Sequence, residues 1–283
     1  MTNKDFFKIE SLKEFSLKYL QSGSNKIAIY TSVTNNYDSL FEPKFKSDDI
    51  DYYVFTDSKK IDSNIWNIIK IDDSKSDPRK IAKVFKVLPH LFFPNYNFSI
   101  WVDGSIEIID DLSILIKNFL VSQPIAFFNH SSRDCIYKEA EHVIGLGYEN
   151  KEIVEMQMNK YLQSNYPHKN GLIAGGFIIR NHNDKNCIMV MEDWWNEIIN
   201  YSIRDQLSFN YISWKTKIIY DIIKLNYFEN KYFKIHPHKK IKFYGSDGSS
   251  KVRQIRSKAL FYLSSTNLYR RYIRKYYLKI KKK

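Results

Sequence analysis

The chain has 283 residues, two cysteines and a formal net charge of +13. That length buries a sizeable core without staples, and Cys135 and Cys187 have no metal-ligand spacing, so disulfide-rich and zinc-stapled scaffolds are excluded and a reducing, cytoplasmic setting is expected. No run approaches the ~18 apolar residues of a membrane-spanning helix, and "MTNKDFFKIESLKEF" lacks the apolar centre of a signal peptide, so neither a span nor export by that route is expected.

Along the chain, apolar strand-like runs alternate with helical patterns. "KIAIYTSVT" (26–34) reads as a buried strand ended by small polar residues and "NNYD", and "IDYYVFTDS" (50–58) as another that stops at Thr56, Asp57 and Ser58. "DPRKIAKVFKVLPHLF" opens a helix, with Asp77 as N-cap, Pro78 in the first turn, and Ile81, Val84, Phe85 and Leu88 at helical spacing. Lys80, Lys83 and Lys86 then fall on other faces, one of them open to a cleft. "FSIWVDGSIEI" (98–108) predicts a strand ending at Asp103 and a continuation, "PIAFFNH" (124–130) another strand, and "GLIAGGFIIRNHN" (171–183) a further one with Gly175 and Gly176 inside it. A last helix-strand passage runs from "MEDWWNEIINYSIRDQLSFNYISWK" to "KYFKIHPH".

Strands separated by helical segments predict an α/β fold with a mostly parallel sheet flanked by helices. In such sheets the ligand crevice lies beyond the carboxyl ends of the strands, which gathers Thr31, Ser32, Asp57, Asp103 and His130 along one rim. A carboxylate such as Asp103 at the end of a buried strand is costly unless a cation or hydrogen-bond donor meets it. Phosphate-loop, dinucleotide, zinc-protease and nucleophile-elbow motifs are all absent. What remains is carboxylates beside Arg79, Lys80, Lys83 and Lys86, a mixture suited to a diphosphate with or without a divalent cation.

The ordered motifs "IAIYTSVTNNYD", "PRKIAKVFKVLPHLFFPNYNFSIWVDGSIEI", "HSSRDCIYKEA" and "SIRDQLSF" resemble a glycosyltransferase-like family formerly catalogued as a domain of unknown function. Its members occur in plant cell-wall and mucilage synthesis and in bacterial capsule or lipopolysaccharide loci. The resemblance covers roughly residues 25–240. It implies a GT-A-type fold and transfer of a sugar from a nucleotide-sugar donor to a saccharide or glycolipid acceptor. On that pattern Thr31, Ser32, Tyr37 and Asp57 hold the nucleoside, and Arg79 and Lys83 meet the diphosphate. Asp103 stands where the metal-binding Asp-x-Asp motif begins, with Ser105 in its second position. A Mn²⁺ or Mg²⁺ ion held by Asp103 and a late histidine, His236 or His238, is one implication; transfer of the cation's role to Lys and Arg is the other.

Several residues carry two readings at this stage. The Asp205–Gln206 pair grips donor-sugar hydroxyls, with Asp205 a general base if the reaction inverts, or Arg204 and Asp205 form an exposed ion pair. His130 and Asp134 belong to the catalytic loop, or His130 is a hydrogen-bonded structural residue. Gly175 and Gly176 admit a ligand on the acceptor side of the donor sugar, or form a bulge. Trp194 and Trp195 are a sugar-stacking face or core. The body, 1–245, is separated by "GSDGSSK" from a basic amphipathic segment, 246–283, that includes "NLYRRYIRKYYLKIKKK". This segment is expected to be a helix on an anionic membrane surface, at the inner face of the cell membrane, rather than on nucleic acid; its alternative reading is a solvated, frayed terminus. Competing functions are a catalytically degenerate scaffold, supported by Ser105, and a polyanion- or anionic-lipid-binding module.

Overall fold

β-branched and aromatic residues packed into short apolar runs become the strands that carry the cleft: β1 (Ile27–Val33), β2 (Ile50–Thr56), β3 (Asn67–Lys70) and β4 (Phe98–Val102). They belong to a computed structural model that describes residues 7–21, 23, 26–72 and 77–238. Helix α1 (Ile9–Ser16) precedes them and α2 (Pro78–Val87) enters between β3 and β4. As the sequence predicts, Asp77 caps α2, its carboxylate accepting the Arg79 backbone N–H at 2.9 Å.

Downstream come β5 (Ile106–Ile108), α3 (Ser113–Phe119), β6 (Ile125–Asn129), α4 (Ile136–Leu146), α5 (Lys151–Gln163), β7 (Ile173–Arg180), α6 (Lys185–Asn200), α7 (Phe209–Thr216), β8 (Asp221–Ile222) and β9 (Phe233–Ile235). Among the described residues the main sheet runs β3-β2-β1-β4-β7-β6-β8. β1 to β4 are mutually parallel in that order, β7 is antiparallel to both neighbours, and β8 is parallel to β6. The mostly parallel α/β sheet is therefore present with one strand reversed. Two further details differ from a plain strand–helix alternation. A loop, not a helix, joins β1 to β2, and the continuation after Asp103 leaves the main sheet to pair with β9.

Alternation along β1 serves two cores. Ala28 and Tyr30 face one side, with Val84 and Phe85 of α2 and Met191 and Trp194 of α6; Ile27, Ile29 and Val33 face the other, with Leu115 and Ile116 of α3 and Phe233 of β9. Trp194 and Trp195 are completely buried, so they are core and present no stacking face; their indole N–H groups donate to the Asp205 and Phe7 carbonyls at 3.1 and 2.9 Å. No helix among the described residues is long and apolar enough to cross a membrane. The boundary at 245 and the basic segment 246–283 lie outside the described residues.

Because α2 carries core residues on one face, its packing decides where its opposite face points. Phe85→Ala, which empties the stack on Phe55 (centroids 3.9 Å apart), is expected to lower the unfolding free energy by about 3–5 kcal/mol. Asp77→Ala, which removes only the cap, is expected to lower it by about 1 kcal/mol. Denaturant titration measures both; equal losses would contradict the role of α2 as a core helix.

Candidate functional site

With Val84 and Phe85 committed to the core, Lys83 and Lys86 share the adjacent face of α2 and reach under the ends of β1 and β4. There they line a cavity of about 460 Å³. Lys86 is 2% exposed, yet its ammonium has two partners, Asp205 Oδ2 at 2.6 Å and Asp103 Oδ1 at 3.2 Å. Lys83 donates to the same Asp205 oxygen at 2.7 Å. Asp103 Oδ1 also accepts the Trp101 indole N–H at 2.7 Å, and the Asp103 backbone N–H donates to the Gly176 carbonyl at 2.8 Å. Asp205 sits in a 3₁₀ turn (Asp205–Leu207) anchored to α6 through Trp194, and its Oδ1 accepts the Gln206 N–H at 3.0 Å.

One carboxylate thus serves two ammoniums. Burial opposes ionisation of Asp205, but Lys83 and Lys86 outweigh it and hold the carboxyl well below the usual carboxylate range. Burial, helped by repulsion from Lys86, pulls Lys83 down to about 8 despite Asp205. Lys86 moves the other way: burial opposes its charge, and Asp103 and Asp205 together more than offset it.

The reversal of β7 explains the two glycines. Val102 is paired with Phe177, so the first half of β7, not its end, flanks Asp103. A Cβ on Gly175 would lie 3.3 Å from Asp205 Oδ2 and 3.5 Å from Lys86 Nζ, and one on Gly176 would lie 2.0 Å from the Tyr227 hydroxyl and 3.1 Å from Asp103 Oδ2. The register of β6 against β7 also shifts opposite this pair, between Phe127 and Phe128. The strand is irregular there, as the bulge reading has it, and the space beside the glycines is taken by the side chains of Lys86, Asp103, Asp205 and Tyr227.

Around the mouth, Tyr37 and Asp38 follow the Asn35–Asn36 turn, and His238 Nδ1 lies 2.7 Å from Asp38 Oδ1 with its ring on Tyr37. Burial opposes the charge on His238, and the Asp38 carboxylate overcomes that and raises its pKa. Opposite, His130 Nδ1 accepts the Arg133 and Ser132 backbone N–H groups at 3.1 and 3.3 Å. Burial and the Arg133 guanidinium lower His130 to about 4, so it is neutral near pH 7. Arg133 is engaged by the buried Glu139.

Most of the expected residues meet in this cavity. Ser32, Tyr37, Arg79 and Lys83 line it from the β1–β2–α2 side, with Asp103 at its floor. Gly175, Gly176, Asp205, Gln206, His130 and His238 complete the lining. Three expected residues do not. The Thr31 hydroxyl is buried, with the residue 1% exposed, and the Asp57 carboxylate is turned back to accept the Asn35 N–H, so neither lines the pocket they were expected to form. Asp134 is exposed outside the lining, beyond the His130 turn. The alternative reading of Arg204 and Asp205 as an exposed ion pair does not hold: Asp205 turns inward to the lysines, and Arg204 stacks over the Tyr148 ring at 5.4 Å with its Nε buried and without a hydrogen-bond partner among the described residues. The sequence set Lys86 beside Arg79 and Lys83 without a role of its own and read Arg204 only as half of an ion pair, and it did not single out Asp38, Tyr148 or Tyr227. The signal for Lys86 was its place one turn beyond Lys83.

Among the described residues no three His, Cys, Asp or Glu groups converge to hold a metal ion. Ser105 is buried and off the cavity, His236 is engaged by Glu107 at 2.7 Å, and His238 by Asp38. The space between Asp103 and Asp205 is taken by the Lys86 ammonium. The donor set does not fit a metal held by Asp103 and His238.

Residues 7–240 match the family model described as TOD1/MUCI70, glycosyltransferase-like domain. Over 246 residues, 73% of this chain, the sequence is 26% identical to the probable hexosyltransferase MUCI70 and 24% identical to the alkaline ceramidase TOD1, both of Arabidopsis thaliana. These alignments cover 42% and 52% of those proteins, so the chain spans about half their length. Among solved structures, the apo bifunctional glycosyltransferase WbbM superposes with a TM-score of 0.43 at 13% identity, over 68% of this chain and 38% of that one. Apo mouse xyloside xylosyltransferase 1 gives 0.42 at 10% identity, over 70% and 84%. The chain belongs to the TOD1/MUCI70 glycosyltransferase-like domain family.

Proposed function

We propose that this chain transfers a hexosyl unit from a nucleoside diphosphate sugar to a saccharide or glycolipid acceptor during assembly of a surface polysaccharide. The observation that carries the reading is the pair of α2 ammoniums in a closed-sided cavity beyond the parallel strand ends. Departure of a nucleoside diphosphate builds negative charge on oxygen, and fixed cations in a partly dry site stabilise that charge far better than water does. Lys83, 23% exposed, and Arg79, 39% exposed, are the cations that can turn to the diphosphate. Asp205 is a poor base, because two ammoniums hold it ionised; its role is to fix them, and with Gln206 to meet sugar hydroxyls. Tyr227 and Phe228 line the other wall and supply the apolar rings on which an acceptor sugar stacks. The basic segment 246–283 would hold the enzyme to the inner face of the cell membrane, where such acceptors are built.

A melting-temperature panel of UDP-, GDP-, CMP- and dTDP-sugars tests the donor class. One nucleotide family at ~100 times its Kd should stabilise the fold by about 2.7 kcal/mol, a shift of several degrees, and Lys83→Ala should remove most of it. No shift with any nucleotide would move the assignment to a degenerate scaffold, and release of sphingosine from ceramide would move it to the chemistry for which the second relative is named. A pH series is the companion measurement. Donor kcat/KM is expected to fall as pH rises through about 8, where Lys83 loses its proton, and Lys83→Arg should abolish that inflection because guanidinium stays charged. The same inflection in Lys83→Arg would exclude Lys83 as its source.

A further inference from the structure

Lys86 is a stranger residue than Lys83. Its side chain is 2% exposed, its ammonium bridges Asp103 and Asp205 at 3.2 and 2.6 Å, and its Nζ lies 5.5 Å from the centre of the Trp101 ring. A buried ammonium loses several kcal/mol of hydration, so a chain retains one only where its charge is compensated, as here by two carboxylates. β7 packs closely against this group, since a methyl-sized atom on Gly175 would lie 3.3 Å from Asp205 Oδ2 and 3.5 Å from Lys86 Nζ.

We infer that the Lys86 ammonium, held between Asp103 and Asp205, occupies the place of a divalent cation, and that this chain transfers its sugar without a bound metal. The inference rests on the glycosyl-transfer reading and specifies how the leaving diphosphate is neutralised. The charges around the cavity agree. Asp103 and Asp205 are matched by Lys86 and Lys83, Asp38 by His238 and Arg79 by Asp77, so the carboxylates around the cavity already have cationic partners. Arg204 Nε, buried and without a hydrogen-bond partner, leaves a donor for a phosphate oxygen. In the transfer, the bond between the anomeric carbon and the distal phosphate oxygen breaks with its electron pair on oxygen. The acceptor oxygen makes the new bond to that carbon, its proton passes to solvent, and the nucleoside diphosphate leaves with one more negative charge. Lys86 acts as a positioning residue that keeps Asp103 and Asp205 from binding a metal and holds the local potential positive.

The test is Mn²⁺ uptake, read from the loss of the aqueous Mn²⁺ paramagnetic-resonance signal, on full-length wild type, Asp103→Asn and Lys86→Met, alongside turnover in EDTA. Wild type and Asp103→Asn should take up the same small amount of Mn²⁺, and wild-type turnover should be unchanged by EDTA. Lys86→Met should gain Mn²⁺ uptake and lose turnover by about 100-fold or more. Mn²⁺ uptake by wild type that Asp103→Asn abolishes, or turnover that EDTA stops and Mn²⁺ restores, would overturn the inference. If Lys86→Met does not fold, wild type and Asp103→Asn decide alone. Absence of transfer from every donor would defeat the glycosyl-transfer reading, whereas the Mn²⁺ comparison would still decide the identity of the central cation.

Discussion

Asp205 accepts hydrogen bonds from Lys83 and Lys86 through one carboxylate oxygen, and the surrounding structure is arranged to make that arrangement stable. Each of these charges loses hydration on burial, a cost of several kcal/mol apiece that mutual attraction offsets only when the geometry is held. Holding it falls to the hydrophobic side of α2. Phe85 is stacked on Phe55, and the Lys86 carbonyl accepts the Arg180 guanidinium at 2.9 Å, so the last turn of the helix is tied to both the sheet and the far end of β7. The Asp205 turn is fixed independently, through the Trp194 indole and Ser208. A shift of either element would leave a buried charge without its partner.

The reversed strand completes the cluster. Antiparallel pairing on β4 brings Gly175 and Gly176 beside Asp103, and the missing side chains leave the volume that Lys86, Asp205 and Tyr227 fill. The family to which the chain belongs is described as glycosyltransferase-like, and the cavity sets ammoniums paired with carboxylates at its floor beside Arg79, Arg204, Tyr227 and Phe228 in its lining, the set from which the proposed anion site is drawn.

The strands and α2 were legible because their signals are local. A β-branched run, an Asp-Pro cap and four apolar residues at helical spacing each act over one or two turns, and β1, β2, β4, β6, β7 and α2 formed where those signals lie. The rim rule also worked for Ser32, Asp103 and His130, which share the cavity. It failed for Thr31 and Asp57 because direction is a matter of single residues: on a pleated strand the neighbour of an inward residue points to the other face, and a carboxylate beside a tight turn is taken by the turn's N–H. The inward rotation of Asp205, away from Arg204, depends on lysines more than a hundred residues earlier in the chain. No local pattern encodes that pairing. The orientation of β7 was equally hidden, since antiparallel and parallel strands share one hydrophobic pattern when both faces are buried.

The most direct test of the account is a crystal structure of the protein grown with the nucleoside diphosphate selected by the thermal panel, in buffer containing Mn²⁺. The account predicts diphosphate oxygens within hydrogen-bond distance of Lys83 and of Arg79 or Arg204, with Lys86 still between Asp103 and Asp205 and no metal coordinated by either carboxylate. A nucleotide bound outside this cavity, or a Mn²⁺ ion seated on Asp103 with Lys86 displaced, would contradict it.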